Sequence, residues 1–226
     1  MIPTGAANDL ARYHSIPSDP EAACHVILQN RHRYLDAIRV NGWHFLTVAG
    51  IGLPCGAVAE AQSIKHGGVT GRTLARLLGS KLYLLALAIT YRRSTRQAIS
   101  ISVRAAQTTW RGATYSVIVA NQPFLGRNFL VSPAATNDDG RLDLFAITDC
   151  HSRRLLLQTV LSTATGGKEH HESVLRLQST RLVIEATHGL PFFGDGELHG
   201  ESSSFDFQVI PVAIKLIVPE ERAVPR

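Results

Sequence analysis

Two carboxylates in PFFGDGELHGE, residues 191–201, are the side chains best suited to do chemistry. Asp195 and Glu197 stand on one glycine-rich turn. Such a pair can supply a general base and a neighbour that orients or tunes it. Taken alone, D-G-E is also the usual pattern of a β-hairpin turn, so both interpretations stay open at this point.

A second group of oxygen-bearing side chains lies in SPAATNDDGRLDL, residues 132–144. Its polar residues crowd around Gly140 and are Asn137, Asp138, Asp139 and Asp143. Carboxylates and backbone carbonyls in a tight turn can hold a hard cation such as magnesium. The alternative is a D-G turn that joins two strands, which is the commoner meaning of this pattern.

The third candidate is the opening loop, MIPTGAANDLAR, whose turn-forming residues are Pro3, Gly5, Asn8 and Asp9. Tight turns and helix caps are built from these residue types, and the following LAR is typical of the first turn of a helix. A loop of this kind normally follows a strand, and no strand pattern precedes it in the sequence.

Two further patterns are less specific. His170, His171 and Glu172 imitate a set of metal ligands, but they lack the H-E-x-x-H spacing, and a solvated polar stretch is the usual meaning. Gly50 and Gly52 in VAGIGLP predict close backbone approach at the end of a strand, since glycine has no side chain. The alternative is dinucleotide binding, for which G-x-G without a third glycine is weak evidence.

Short runs rich in β-branched and aromatic residues predict the strands that carry these loops. The runs are YLDAIRVNG, WHFLTVAGIG, ISISVRA, TYSVIVA, NFLVSP, LDLFAIT, TRLVIEAT, FDFQVI and AIKLIVP. Asn41-Gly42 between the first two runs predicts a hairpin turn. Many short strands with few helices predict a mainly β fold, an antiparallel sandwich or barrel.

Helical patterns precede and interrupt the strands. Ser18 or Asp19 caps a helix that begins at Pro20, and two insertions near 56–91 and 152–165 are helical. Within the first insertion, residues 74–91 approach the length of a membrane span. Because charged residues interrupt this run, it predicts an amphipathic helix packed on its own protein.

Composition favours a globular protein in a reducing compartment. Hydrophobic residues make up 45% and charged residues 18% of the 226 positions, which excludes disorder as the overall state. The three cysteines are isolated, with no C-x-x-C spacing, which argues against a disulfide scaffold or a zinc site. No signal peptide pattern is present at the N-terminus, so we expect a cytoplasmic location.

Charge is distributed unevenly along the chain. No acidic residue occurs between Glu60 and Asp138, whereas this basic segment contains Lys65, Arg72, Arg76, Lys81, Arg92, Arg93, Arg96, Arg104, Arg111 and Arg127. Its positive field suits phosphate-bearing ligands, anionic lipid headgroups or nucleic acid. A solvated face without a partner explains it equally well. Few aromatic residues are interleaved, which disfavours nucleic acid.

Taken in order, the motifs resemble those of the lipid kinase family of diacylglycerol kinases, sphingosine kinases and their bacterial relatives. PTGAANDLAR is similar to P-L-G-T-x-N-D-F-A-R, and FLTVAGIGLPCGAVAEA to F-x-N-x-x-G-x-G-F-D-A-x-V. VANQPFLGRNFLVSPAATNDDGRLDLFAI is similar to the V-x-N-G and A-P-x-A-x-x-D-D-G-x-L-D-V block, GDGELHGE to the D-G-E motif, and VIPVAIKLIVP to V-x-P-x-A-x-x-V-x-x-P. The resemblance covers nearly the whole chain.

The resemblance implies a fold and an activity. It predicts that residues 1–33 are a remnant of an α/β ATP-binding domain and that residues 34–226 form a C-terminal antiparallel β-sandwich with helical insertions. The implied reaction passes the γ-phosphoryl group of ATP to a lipid hydroxyl, with Mg²⁺ neutralising charge. The implied setting is the cytoplasm, peripheral to an anionic membrane surface, without nucleic acid.

The resemblance also implies roles for individual residues. Glu197 corresponds to the general base and Asp195 to its neighbour in the cleft. Magnesium is implied at Asp139 with the backbone carbonyls of Thr136 and Arg141. The implied nucleotide-binding residues are Gly5, Ala6, Asn8 and Asp9.

Two departures from the family pattern concern the nucleotide. The phosphate loop G-G-D-G-T is absent, and Ala6 stands where the family has a threonine expected to contact ATP. We therefore expect an N-terminally truncated fragment or one half of a split enzyme, inactive by itself and completed by a missing N-terminal half or arranged as a homodimer. The alternative is a non-catalytic module that binds lipid or membrane through the basic segment.

Overall fold

The computed structural model describes residues 1–5, 8–94, 98–106, 108–126, 129–148, 153–165 and 173–220. Its helices are α1 (Asp9–Tyr13), α2 (Pro20–Gln29), α3 (Leu53–His66), α4 (Gly68–Leu78), α5 (Leu82–Ser94) and α6 (Arg153–Thr165), with a 3-10 turn at Gly79–Lys81. Its strands are β1 (His32–Val40), β2 (Trp43–Phe45), β3 (Val48–Gly52), β4 (Ile99–Ala105), β5 (Thr108–Ala120), β6 (Phe124–Leu125), β7 (Phe129–Leu130), β8 (Leu142–Thr148), β9 (Val174–Ser179), β10 (Arg181–Gly194) and β11 (Glu197–Ile217).

Nine of these strands form one antiparallel sheet in the order β2-β1-β11-β10-β3-β5-β8-β9, and β4 joins it by pairing with both β10 and β5. The long strands β5 and β10 each pair with β4 along one part and with β3 along another. The sheet therefore folds back on itself around a core. The mainly β, antiparallel sandwich predicted from the strand pattern is confirmed, with helices inserted after β3 and β8.

Both faces of the sheet are apolar, and each face packs against a different layer of the protein. On β5, Val117 and Val119 belong to the cluster inside the sandwich, while Ile118 belongs to a second cluster with Leu53 of α3 and Leu156 of α6. This two-residue alternation follows from the geometry of a strand. The outer face of β5 and β8 is therefore covered by helices, and the cavity described below lies between this face and the helices.

Two local predictions are confirmed by backbone geometry. Asn41 and Gly42 connect β1 to β2 with φ values of 48° and 87°, as the two-residue hairpin requires. A Cβ atom on Gly50 would lie 2.5 Å from the Phe193 ring, and one on Gly52 would lie 2.6 Å from the Tyr115 carbonyl oxygen. Both glycines therefore serve close approach between strands.

The helical predictions are confirmed in part. Asp19 caps α2 by accepting the Ala22 N–H at 2.8 Å, and Pro20 is the first helical residue. The single helix predicted over residues 74–91 is wrong, because Gly79, with φ of 51°, turns the chain and leaves α4 and α5 bent by 115°. No single helix of the described residues is long and apolar enough to cross a membrane, although this bent pair meets the length and composition when taken together.

The first helix packs on the sandwich. Ala11 and Ile16 are buried against Leu35 of β1 and Leu216 of β11. This contact explains why α1 needs no further sheet to bury its apolar face. The assignment of residues 1–33 to a separate nucleotide-binding domain, with 34–226 as the sandwich, stays a prediction.

A buried aspartate connects β1 to its surroundings. Asp36 is 3% exposed, and its two carboxylate oxygens accept the N–H groups of Gly140 at 2.7 Å and Val212 at 2.9 Å. Its own backbone N–H donates to the Asn137 carbonyl at 2.7 Å, and its carbonyl accepts the side-chain amide of Asn121 at 2.9 Å. One residue therefore ties β1 to β11, to the end of β5 and to the loop before β8.

Replacement of Asp36 tests this role. In Asp36→Asn an amide N–H₂ group replaces one acceptor oxygen, so one buried backbone N–H loses its partner. We expect the free energy of unfolding to fall by about 1–3 kcal/mol, measured by urea denaturation. Asp138→Asn is the control. The Asp138 carboxylate is exposed, lies in the loop before β8 that Asp36 holds through Gly140, and is 3.6 Å from Arg33. Equal losses in the two variants would contradict the role of Asp36.

Candidate functional site

The D-G-E motif forms the hairpin between β10 and β11. Gly194 pairs with Glu197, and the two residues between them, Asp195 and Gly196, have φ values of 50° and 84°. The hairpin interpretation is therefore correct as a description of the backbone. It is compatible with chemistry, because the turn presents its carboxylates at the end of the two longest strands.

Asp195 holds this turn against the segment that leads into β3. Its carboxylate accepts the N–H of Leu46 at 2.9 Å, the N–H of Thr47 at 2.8 Å and the Thr47 hydroxyl at 2.5 Å. Its backbone N–H donates to the Val48 carbonyl at 3.0 Å. Three donors on one carboxylate fix its position. Asp195 thus has a positioning role, and the catalytic role predicted for it stays a prediction.

Glu197 is placed differently from Asp195. Its side chain is exposed at the first position of β11, and among the described residues no hydrogen bond or ion pair engages its carboxylate. The carboxylate is therefore available to accept a proton from a bound hydroxyl group, which is what a general base must do. Its role as the base also stays a prediction.

Residues of α3 and α5 surround the turn, and sequence reasoning did not select them. Gln62 donates to the Gly196 carbonyl at 3.3 Å, and Lys65 donates to the Tyr83 hydroxyl at 3.2 Å while its Nζ lies 5.0 Å from the ring centroid. A methyl group on Gly196 would lie 4.0 Å from that hydroxyl. A lysine and a tyrosine therefore stand beside the carboxylate turn. Their spacing in sequence carries no signal of this, because α4 intervenes.

A cavity of about 370 Å³ opens beside the turn. It lies between the outer face of β5 and β8 and helices α3, α5 and α6. The apolar part of its wall includes Leu53, Val58, Leu87, Ile118, Phe129, Phe145, Ile147, Val160 and Phe193. The polar part includes Asn8, Asp9, Thr47, Ser116 and Asp195. The cavity therefore has an apolar interior with polar groups from the opening loop and the D-G-E turn.

The opening loop reaches this cavity with two of its four predicted residues. Asn8 has φ of 51°, accepts the Gly5 N–H at 2.8 Å and donates to the Gly5 carbonyl at 2.7 Å, which closes the loop. Asp9 follows at the start of α1, with its side chain 15% exposed and 3.9 Å from the Arg12 guanidinium. Ala6 lies outside the described residues. The structure thus brings Asn8 and Asp9 to the same cavity as Asp195.

The loop before β8 holds the residues predicted for magnesium. Asp139 accepts the Arg141 N–H at 2.9 Å, while Gly140, with φ of 72°, donates to Asp36. One exposed carboxylate and two backbone carbonyls, those of Thr136 and Arg141, are a donor set that suits a hard cation. Within the described ranges no group of three or more histidine, cysteine or acidic side chains could hold a metal ion. The predicted magnesium site has one carboxylate and two backbone carbonyls, so it is not among such groups and stays a prediction. The cluster around His170 lies outside the described residues.

Hydrogen bonds join two of the three predicted loops, the D-G-E turn and the loop before β8, into one network. Asn121, fully buried at the end of β5, donates through its side chain to the carbonyls of Leu46 and Asp36, both at 2.9 Å, and through its backbone to Thr47 at 2.8 Å. We use the name polar network for Asp36, Asn121, Asn137, Asp195 and residues 46–47. It runs from the D-G-E turn to the loop before β8. A lone acid within the apolar run YLDAIRV was the signal in the sequence for Asp36.

His14 connects the opening helix to the polar network. The Asn137 side-chain amide lies 3.1 Å from the His14 Nε2 atom, and both residues are buried. An amide donor needs an unprotonated ring nitrogen. Burial lowers the pKa of His14, and Arg33 lowers it further, while Asp138 opposes the shift. The neutral imidazole is therefore the form that fits the fold.

This arrangement predicts a pH dependence of stability. Because the pKa of His14 is lowered in the folded protein, the unfolded chain binds more protons once the pH falls below the ordinary histidine value of 6.5. The His14 contribution to the free energy of unfolding is thus complete above that pH and is lost as the pH falls towards the folded pKa. We expect His14→Gln to weaken this loss between pH 7.5 and pH 5, measured by urea titrations. An unchanged slope would contradict it.

Comparison with known proteins places the chain among relatives that span its whole length. Residues 70–218 match the family described as "YegS C-terminal NAD kinase beta sandwich-like domain". A protein of Pseudomonas aeruginosa strain PAO1 named "Probable lipid kinase YegS-like" is 30% identical over 220 residues, 97% of this chain and 67% of its own length. One of the same name from Yersinia pestis strain Pestoides F is 28% identical over 221 residues, with 97% and 69% covered.

Solved structures show the same fold at lower identity. A diacylglycerol kinase from Bacillus anthracis strain Sterne is similar over 96% of this chain and 65% of its own, with a TM-score of 0.67 and 16% identity. A second protein from that strain gives a TM-score of 0.73 with 21% identity over 96% of this chain and 67% of its own. The chain thus spans about two thirds of the length of these relatives.

Proposed function

Because the chain belongs to the lipid kinase-like family that carries the YegS C-terminal NAD kinase beta sandwich-like domain, we propose that it supplies the lipid-binding half of an ATP-dependent lipid kinase. The observation that carries the proposal is the apolar cavity with acidic residues at its polar end. Such a cavity suits a molecule with a hydrocarbon chain and one reactive polar group. A diacylglycerol-like alcohol has this chemistry.

Glu197 acts as the general base in this proposal. The lipid hydroxyl gives its proton to the Glu197 carboxylate while its oxygen forms a bond to the γ-phosphorus of ATP. The bond from that phosphorus to the β,γ-bridging oxygen breaks, and ADP leaves with the electron pair. Asp195 holds the turn in place through Leu46 and Thr47, so that Glu197 stays next to Asp195 and Gly196, which line the cavity.

The nucleotide is bound only in part by these residues. Asn8 and Asp9 are proposed to contact it, because they line the polar end of the cavity. The 226 residues contain no G-G-D-G-T loop, so the backbone that cradles the phosphates comes from outside them, either in the same polypeptide or in a second one. Asp139 and the carbonyls of Thr136 and Arg141 are proposed to hold Mg²⁺, which supplies positive charge near the site. The lipid substrate implies a location at the membrane surface.

Replacing the proposed base tests the reaction. The assay is transfer of radiolabelled phosphate from ATP to diacylglycerol in mixed micelles, by a chimera that adds the part of the P. aeruginosa relative not covered by this chain. We expect Glu197→Gln to lower the rate by about 10²–10⁴-fold, because it cannot accept the proton. Glu201→Gln, an exposed glutamate of the same strand, should stay within about twofold of the unchanged chimera. An inactive chimera, or full activity in Glu197→Gln, would refute the proposal.

A second candidate is a non-catalytic lipid-binding module, which the cavity favours independently of any nucleotide. It would use the same apolar wall and would leave Glu197 without a role. The Glu197 assay separates the two candidates, because a module of this kind shows no phosphoryl transfer with any residue at position 197.

Lipid binding itself is tested by filling the cavity. Leu87 lines it from α5, so Leu87→Trp places a larger side chain in the space for hydrocarbon. We expect at least tenfold weaker binding of a fluorescent diacylglycerol analogue in detergent solution. Leu157→Trp is the matched control, since Leu157 lies on α6, another helix of the cavity wall, is 40% exposed and does not line the cavity. Equal binding by both variants would place the lipid elsewhere.

A further inference from the structure

Helix α4 packs on α3 and α5 through Ala75 and Leu78, and other large apolar side chains of this helix stay exposed. None of its residues is buried, and Leu77 is 79%, Val69 77% and Leu74 42% exposed. Leu74 and Leu77 are three positions apart and therefore share one side of the helix. Large apolar side chains exposed together on one amphipathic helix mark a surface that meets something other than water.

The charges of this region are positive. Arg72 and Arg76 are four positions apart on α4, and both are exposed. Lys81 and Arg92 add exposed cations on the next turn and at the end of α5. No acidic residue occurs from position 61 to position 137, and Glu60 of α3 pairs with Arg93 at the end of α5 at 2.7 Å. An anionic surface is its electrostatic complement.

The next helix joins this surface to the cavity. On α5, Leu82 and Ala86 are fully buried and pack with Ala61 of α3. Tyr83 and Leu87 line the cavity from the same helix. Leu84 and Leu85 face outward, with 37% and 38% exposure. One helix therefore has the cavity on one side and the exposed apolar surface on another.

From these observations we propose that α4, the turn at residues 79–81 and α5 form a docking hairpin that lies in the headgroup region of an anionic bilayer. The leucines of α4 and α5 enter the acyl boundary, and Arg72, Arg76 and Lys81 contact lipid phosphates. Helix α4 has 11 residues, too few to cross the hydrocarbon core by itself, and its cations together with its exposed leucines suit a helix that lies in the interface. This proposal rests on the proposed function in one respect: once the hairpin is docked, a lipid enters the cavity beside α5.

Vesicle binding tests the proposal on the complete chain. The protein should sediment with vesicles of 70% phosphatidylcholine and 30% phosphatidylglycerol. With vesicles of pure phosphatidylcholine, the amount of sedimented protein should be at least roughly tenfold smaller. Leu74→Asp with Leu77→Asp should reduce binding at least tenfold. Leu28→Asp on α2 is the control for exposure, because Leu28 is also 79% exposed. Equal effects of these variants would overturn the proposal.

The cations are tested separately from the leucines. Arg72→Gln with Arg76→Gln should weaken binding about fivefold for each lost charge at low salt. Arg39→Gln with Lys215→Gln removes the same net charge from exposed positions of β1 and β11 and should weaken binding much less. The same loss in both pairs would mean that net charge alone drives binding, which would overturn a specific hairpin.

A tryptophan at position 77 reports insertion directly. Leu77→Trp fluorescence should shift to the blue with anionic vesicles and be quenched by brominated acyl chains, whereas Leu28→Trp should show neither effect. Vesicle binding without quenching at position 77 would assign docking to another surface. A dimer in solution by light scattering that Leu77→Asp dissociates would assign the hairpin to a second copy of the chain. Either result overturns the proposal.

These experiments can refute the docking hairpin and the kinase function independently of each other. Vesicle binding through Leu77 by a chimera that phosphorylates no lipid would support the hairpin and refute the kinase function. Lipid phosphorylation in micelles by a protein that does not bind anionic vesicles would support the kinase function and refute the hairpin.

Discussion

The buried carboxylate of Asp36 is the constraint on which the candidate site depends. A charge removed from water needs full hydrogen bonding, and Asp36 obtains it from two backbone N–H groups in distant parts of the chain. Those bonds determine the position of the loop before β8, through Gly140, and of β11 at Val212, whose φ is 56°. Through Asn121 the same residue determines the position of residues 46–47, which in turn hold Asp195. The polar network therefore sets the separation between loops that are far apart in sequence.

The two carboxylates of the D-G-E turn differ because of their surroundings. Asp195 accepts three donors that hold the turn in place and lines the cavity, whereas Glu197, two residues further on, is exposed. An apolar cavity beside a free carboxylate is an arrangement for a substrate with a hydrocarbon body and a reactive hydroxyl. Lys65 and Tyr83 place one cation near the turn, on the side from which α5 approaches. The family, the cavity and the acidic turn are three independent observations that support the proposed lipid substrate.

Sequence reasoning succeeded where the signal is local. The Asn41-Gly42 hairpin, the Asp19 cap and the close approach at Gly50 each depend on residues adjacent in the chain, and all are confirmed. It failed over residues 74–91, because an apolar run of helix length cannot reveal that Gly79 turns the chain. It also missed Lys65, Tyr83 and Asn121 as neighbours of the site, since their partners lie far along the chain. The order of five motifs was strong evidence for the family because no single motif had to carry it.

The sequence by itself determined the strand pattern, the antiparallel sandwich and the family, because these follow from side-chain periodicity and from motifs read in order. It also named the D-G-E turn, which the structure connects to the loop before β8 by hydrogen bonds and to the opening loop through the cavity wall. Only the tertiary structure decided that Asp195 is bonded to residues 46–47, that Asp36 bonds to the loop before β8, and that α5 lies between a cavity and an exposed apolar surface. The physical reason is that hydrogen bonding and burial depend on distances between residues as far apart as Leu46 and Asp195, which spacing along the chain does not specify.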